Sequence, residues 1–525
     1  MKKTTLLILL FISSLTIAQD FNITKSEIFK DKKKHSFLSF AIDDQDGGLI
    51  TVRRYLGGFP FKKIKGYYIE HFDKDLKLKN EFDYEVDKSR IENAFVKDGK
   101  LHLIEFENLS KEDQIVYRAL STDINNFNFK SKELLSISED NIKTYFGFSL
   151  FTVFFNNGVD QMDGDHLGEV IMSKNNKFFA INFDFKDKEK ETHKIFVFND
   201  NLEMVYDKLI VKDIKDRLFK YNSIDVDDQD GSVYFLGKSF ENNSTKKKKK
   251  GKANYHFELS KINKNGEKIA SFKNPDKFIG SLSLVKNNGK ISCVGFYGNK
   301  DEGKYNGACL FNLNPTSLAL DAEKYNPFSE TFLSDKYGDR EGKKKRKKKK
   351  GLTAIKFRSI EAMPNGDLVI NAEEDYITTH TTFGPNGTTS TTTVQHYDDI
   401  ISLRLNNQGD LKWARNINKA QTGYQNSSFT PISVGEKTYF FINCSDKLKK
   451  LRDDRIQFKQ TSAKNSNLYA ISIDGDGAYD IKKLIDKKDS KVYYKVNNGI
   501  VSDHKNEVIL LGKRKKDSQV IKINI

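Results

Sequence analysis

Asp43-Asp44-Gln45-Asp46-Gly47 and Asp227-Asp228-Gln229-Asp230-Gly231 are the same five residues, each preceded by alternating apolar positions and followed by a strand-like run. A polar cluster ending in Gly between two β-prone runs reads as a tight hairpin turn. The copies lie 184 residues apart, which divides into three steps of about 61 and points to a multi-strand unit repeated along the chain. Looser versions fill the gaps at Val96 to Lys100, Ser173 to Lys177, Lys286 to Gly289, Pro364 to Asp367, Gly435 to Lys437 and His504 to Asn506. A second series of turns falls between them, at Phe72 to Leu76, Phe198 to Leu202, Ile262 to Gly266, Leu405 to Gly409 and Ile473 to Gly477. Two hairpins per unit make four antiparallel strands. Such sheets repeated radially are the β-propeller plan, in which no unit buries its faces alone.

The expected fold is therefore all-β: a β-propeller of eight four-stranded blades, near residues 37–86, 91–138, 168–212, 219–273, 278–330, 353–416, 427–486 and 492–525. The last unit is short by one strand. Phe21 to Phe29 would supply it beside Gln519 to Ile525, closing the ring and removing an open sheet edge. A ring of seven blades, with one unit used as a lid, is the alternative.

At 525 residues, 37% apolar and 12% aromatic, the chain has the material for a large core, and general disorder is excluded. Three Cys exclude a disulfide framework. Cys293 and Cys309 would face each other across a hairpin centred on Asp301, with free buried thiols preferred over a bridge. Met1 to Ala18 reads as a signal peptide: two Lys, an apolar run from Leu6 to Leu15, and small residues before Gln19. Export to the periplasm or the cell exterior is expected, followed by a single propeller domain from 19 to 525. No segment is long and apolar enough for stable membrane insertion. The formal charge is +16. Lys246 to Lys250 with Lys252 carry six positive charges, Lys343 to Lys350 carry eight and the leader carries two, so the remaining body is neutral.

Asp399 to Trp413, Asp-Ile-Ile-Ser-Leu-Arg-Leu-Asn-Asn-Gln-Gly-Asp-Leu-Lys-Trp, resembles the repeat of secreted Bacteroidetes-type β-propeller proteins, a mostly uncharacterised family, and the leader ending Ile17-Ala18-Gln19 is similar to theirs. The resemblance implies the fold and export and supplies no catalytic residue. The other units have lost the Trp.

Propeller topology then sorts the loops. Connections from strand b to c, and from d to the next a, leave on one face, while the a-to-b and c-to-d turns leave on the other. The long insertions at 139–166, 241–253, 332–352, 378–395 and 445–463 all belong to the first face, which is the expected binding face. Two basic tracts lie on it: Lys246, Lys247, Lys248, Lys249 and Lys250, and Lys343, Lys344, Lys345, Arg346 and Lys347 onward. Clustered lysines attract a polyanion such as an acidic polysaccharide or extracellular nucleic acid, although such tracts also occur as solvated loops. The partner is otherwise an unknown protein.

No cofactor is expected apart from calcium, for which Asp160, Asp163, Asp165 and Glu169 are the candidate ligands. The Asp-Asp-Gln-Asp-Gly turns do not fit a calcium loop, because its twelfth position is Arg53 or Gly237 in place of Glu. Hydrolase and zinc-protease motifs are absent, and no catalytic residue is assigned. The sequence thus favours a non-enzymatic binding or scaffold propeller. The alternative is a glycan-active hydrolase or lyase using carboxylates near the central channel, with Glu373, Glu374 and Asp375 considered and read as a structural charge cluster.

Overall fold

The computed structural model describes residues 21–58, 62–109, 111–138, 142, 169–185, 187, 189–287, 289–299, 303–347, 351–383, 389–423, 427–502 and 505–525. The leader read at Met1 to Ala18 lies outside them. Seven blades are each one continuous stretch of chain, spanning 36–85, 89–138, 169–212, 219–272, 278–327, 355–417 and 429–485. Each holds four antiparallel strands in sequence order, a to d from the axis outward, and in blade 6 the sheet is extended beyond strand c by Lys419–Thr422, which pairs in parallel with Ile456–Lys459, and by Lys449–Lys450. Seven is thus the number of contiguous units.

A composite sheet completes the ring. Tyr493–Tyr494 and Ile500–Ser502 form its innermost strand, followed by Glu507–Arg514 and Asp517–Asn524. Its outer strand comes from the other end of the chain: Asn22–Lys25 pairs antiparallel with the last strand, Asn22 opposite Asn524 and Lys25 opposite Ile521. Phe29 continues the pairing opposite Ser518. The last unit is therefore closed by the N-terminal strand and is not a lid; its neighbours are blade 7 on one side and blade 1 on the other.

The repeated turns explain why these residues fold as hairpins. Every a-to-b turn holds at least one residue in the left-handed region, among them Asp98, Asn176, Gly231, Gly366 and Asn506, the residue types that tolerate it. The c-to-d turns share a side-chain device. Oδ1 of Asp73 accepts from the N–H groups of Asp75 and Lys77, and Asn199, Asn406 and Asp474 repeat this two and four residues on. In blades 1, 3 and 5 the left-handed residue of this turn is a buried leucine: Leu76, Leu202 or Leu318.

Apolar clusters fill the junctions between neighbouring sheets. Ile50, Val52 and Ile69 of blade 1 meet Leu101, Leu103 and Leu120 of blade 2, and Leu38, Leu49 and Phe72 meet Ile509, Leu511 and Val520 of the composite sheet. At the roughly 25 cal/mol per Å² of apolar burial, these junctions are the main stabilising term, and no sheet has one without its neighbours. The innermost strands carry an extra residue at equivalent places: Ser39, Glu92, Asn222 and Arg358 each interrupt the register with strand b.

Three sequence expectations need correction. Cys293 pairs with Phe311 and Cys309 with Gly295, so the two thiols sit two positions out of register; both are free and buried. The 332–352 insertion is in part helical: α1 (Glu330–Tyr337) and α2 (Asp339–Lys347) form a hairpin. The 378–395 insertion is largely an extension of strands b and c of blade 6, Leu368–Phe383 and Thr389–Leu405, into a two-stranded ribbon.

Candidate functional site

The described long insertions emerge on the face of the b-to-c and d-to-a connections. In blade 4 the first lysine tract forms a small hairpin, Lys248–Lys249 against Lys252–Ala253. Lys250 and Gly251 both take positive φ at its tip, the backbone of a two-residue turn between antiparallel strands. Its base is held by buried Asn254, whose Nδ2 donates to the carbonyls of Glu241, Ser244 and Lys246 at 2.9–3.0 Å. Lys246 to Lys250 all point into solvent.

The described part of the second tract, residues 343–347, is the last part of α2. Ser329 caps α1 by accepting from the Phe332 N–H at 3.1 Å, and Phe332 and Leu333 are buried against blades 5 and 6. Asp335 receives Arg415 at 2.6 and 3.1 Å, and Lys336 reaches Glu374 at 2.8 Å and Asp399 at 2.7 Å. Gly338, at φ 82°, turns the chain into α2. There Asp339 and Glu341 occupy the first turn and the basic residues follow, as the helix dipole favours. Lys343, Lys344 and Arg346 are exposed. Lys344 pairs with Glu341, Arg346 pairs with Glu330 and Lys345 lies over the Tyr337 ring. Among the described residues, Lys246, Lys249, Lys250 and Lys343 enter no ion pair.

The blade 6 carboxylates are saturated. Glu373 is fully buried, with Lys419 Nζ at 2.5 Å on one oxygen and, on the other, Arg358 Nη2 at 2.6 Å and the Ser428 hydroxyl at 2.8 Å. Arg358 also reaches Asp375 at 2.9 Å. Burial alone would raise the Glu373 carboxyl, but the Lys419 and Arg358 charges outweigh it and hold it below the usual range. Glu374 turns away to Lys336. There burial raises the Glu374 carboxyl above its usual range although the Lys336 charge works against it, whereas Glu373 and Asp375 are tied to Arg358 in ion pairs inside the blade.

Blade 3 brings together residues that the sequence reading did not single out. Asp184 ends strand b (Phe178–Asp184) and lies directly opposite His193 on strand c (Glu191–Asn199). Glu191, two residues before His193, shares its face. The ligating atoms of Asp184, Glu191 and His193 lie within 4.8 Å of one another, and all three residues are buried. His193 Nε2 is 2.7 Å from Glu191 Oε1 and 3.9 Å from Asp184 Oδ1. The Tyr221 hydroxyl donates to Glu191 Oε1 at 2.7 Å, and the Tyr221 and Phe235 rings meet the imidazole edge-on. Of the calcium candidates, Asp160, Asp163 and Asp165 lie outside the described residues. Glu169 begins strand a of the same blade, its backbone opposite Asn182.

The two Asp-Asp-Gln-Asp-Gly turns use their carboxylates on the protein itself. Asp44 accepts from the N–H groups of Asp46 and Gly48 and pairs with buried His71 at 2.9 Å, and Asp228 accepts from the Asn175 N–H of blade 3.

No family model matches the chain, and no curated protein matches it. Several solved structures resemble it distantly. One is the polysaccharide lyase Uly1, at 10% identity over 83% of this chain and 90% of that one, with a TM-score of 0.36. Another is the β-propeller domain of the Trilobed protease from Pyrococcus furiosus, at 9% identity over 87% and 98%, with a TM-score of 0.37. A third is prolyl oligopeptidase B from Galerina marginata, at 8% identity over 92% and 56%, with a TM-score of 0.38. None of these similarities brings a residue role to this chain.

Proposed function

We infer that the protein is a non-enzymatic binding propeller whose loop-bearing face engages a polyanion through the blade 4 hairpin and α2. The observation that supports this reading is that the blade 4 tract and the described part of the second, with Lys343, Lys344 and Arg346 exposed, are folded projections on one face, with four lysines left without an ion pair among the described residues. A carbohydrate-acting reading based on Glu373, Glu374 and Asp375 is disfavoured by the ion pairs that occupy all three. Acidic polysaccharide and extracellular nucleic acid are the partner classes an exported chain would meet.

Binding of this kind works by counterion release and falls steeply with salt; six to ten contacts correspond to a loss of about 10³–10⁵ in affinity between 50 and 200 mM. The test compares retention on heparin and on DNA, at two salt concentrations, for the wild type and for a variant with Lys246 to Lys250 changed to Ser and Lys343 to Lys347 changed to Gln, which keeps helix propensity. Strong, salt-sensitive retention of the wild type and its loss in the variant are expected. Equal retention of both proteins would reject the reading.

A further inference from the structure

We propose that the blade 4 lysine hairpin is held by a pH-responsive clamp: the doubly protonated His256 ring ties Glu241, at the foot of the hairpin, to strand c, and loss of a ring proton loosens the hairpin and weakens polyanion binding. The binding half of this statement rests on the polyanion reading above, and the clamp itself does not. Glu241 directly follows strand b (Val233–Phe240) and His256 is the second residue of strand c (Tyr255–Asn263), so the two flank the insertion that carries Lys246 to Lys250. His256 Nδ1 lies 3.3 Å from Glu241 Oε1, and Nε2 lies 3.0 Å from Glu258 Oε1. An ionised carboxylate only accepts, so each contact needs a hydrogen on the ring, and a neutral imidazole carries one. Neither carboxyl takes the proton instead. Burial would raise both, but Lys273 and His256 hold Glu241 below its usual range, and His256 and Lys212 bring Glu258 down to about 2. The geometry is that of an imidazolium bridging two carboxylates.

The charges around the ring balance only when it is protonated. Glu241 also receives Lys273, just past strand d (Gly266–Phe272), at 2.7 and 2.8 Å. Glu258 receives Lys212 of blade 3 at 3.1 Å, and Lys212 reaches Glu267 of strand d at 3.8 Å. Arg217, on the connection entering blade 4, spends its guanidinium on the carbonyl and side chain of Asn243. Lys238 of strand b turns to the other side of the sheet and donates to the Gly280 carbonyl at 2.5 Å. Lys212, Lys273 and the ring thus stand against Glu241, Glu258 and Glu267, and a neutral ring leaves one negative charge in excess. The hydrogen bond to Glu258 raises the ring above its ordinary range, outweighing burial. A histidine raised in the folded state adds stability that is present in full below its unfolded value of about 6.5 and is lost as pH rises through the higher, folded value. Above it, one ring nitrogen turns a lone pair to a carboxylate. Asn254 and Arg217 still grip Ser244, Lys246 and Asn243, so the foot of the hairpin loosens while the blade stays folded.

The experiment follows hydrogen exchange of the 241–255 segment in the full chain by mass spectrometry, from about pH 6 to about pH 9, together with retention on heparin. Wild type and His256→Gln are compared at each pH, so that the intrinsic exchange rate cancels, and exchange in the rest of blade 4 shows whether the variant is folded. In the wild type, protection of the segment and retention should both fall as pH rises. In the Gln variant both should be low and level. Glu258→Gln keeps the ring and should move the wild-type transition toward acid by about one pH unit, a shift that a merely structural role for His256 would not give. The clamp is overturned if protection in the wild type does not change with pH, or if His256→Gln shows the same dependence. Retention that stays level while protection falls would overturn the coupling to binding. A wild type that heparin never retains, with protection still following the ring, would reject the polyanion reading and support the clamp.

Discussion

Leu76, Leu202 and Leu318 hold φ of 58–64° in their turns, a conformation that costs a branched L-residue about 1–2 kcal/mol. In blades 6 and 7 the equivalent position is Gly409 or Gly477, at φ 88° and 86°. Leucine persists because its side chain enters a blade junction: Leu76, 1% exposed, lies with Phe72 and Ile509. Leu76→Ala keeps the strain and loses the packing, for a cost of about 2–5 kcal/mol. Leu76→Gly loses the same packing and relieves the strain. The Gly variant should therefore be the more stable of the two by roughly 1 kcal/mol in urea unfolding, the reverse of the order usual in regular structure. Equal or opposite ranking would mean that the junction, not the backbone, sets the cost. The turns were legible in the sequence because Asp, Asn and Gly act locally, through their own backbone. Asp184, Glu191 and His193 were not, because they meet only once the register of two strands is fixed, and a one-residue slip would separate them. The alternation of Glu191 and His193 was the available signal.

The helical hairpin α1–α2 is the element that sequence patterning did not reveal. Its lysine run carries no apolar stripe, and the apolar residues that dock it, Phe332 and Leu333, precede that run. Docking also depends on Lys336, whose charge is shared between Glu374 and Asp399. Burial works against that charge, yet the two carboxylates keep the ammonium protonated well above its usual range. Removing it leaves two buried carboxylates without their shared cation, a loss of about 3–5 kcal/mol in such sites. Lys336→Ala should release the hairpin from blade 6, seen as faster proteolysis after the lysines of α2 and reduced polyanion retention with both tracts intact. Unchanged cleavage would show that Phe332 and Leu333 suffice. The register of the thiol pair was missed for a related reason: the centre of the 293–309 hairpin depends on how the 299–306 connection folds, and composition does not specify it.

Across the whole molecule, blade boundaries followed from the two turn series, because a propeller repeats local hairpins and each junction is apolar. Closure of the ring followed from the missing strand. What lay beyond a linear reading is the polar fastening of that closure. Asp31, just past the N-terminal strands, is buried and accepts from Ser36 and Lys513 at 2.5 Å, Ser518 at 2.9 Å and Arg53 at 3.1 Å. Burial would raise its carboxyl, but Arg53 and Lys513 outweigh that and hold it below the usual range. A folded-state carboxyl below its unfolded value adds stability above the unfolded value of about 3.9, and that stability is lost as pH falls through the lower, folded value. Asp31→Asn should therefore lower the thermal midpoint at pH 7, with the gap to wild type closing on acidification below about pH 4. Deleting residues 21–31 should lower the midpoint further, since it also opens the edge of Asp517–Asn524. A truncated chain as stable as wild type would remove the case for closure.

That arrangement also puts a clock into the protein. The strand Asn22–Lys25 is among the first parts of the described chain to be synthesised, and its partner, Asp517–Asn524, is the last. At about 5–20 residues per second the interval is on the order of 25–100 s, during which blades 1 to 7 can form in turn while their first member waits. A chain released early, anywhere before Asp517, never acquires the partner. The seam thus forms only in a chain that includes residues 517–524, and a product ended before them is left with the strand Asn22–Lys25 unpaired on the side that Asp517–Asn524 would cover.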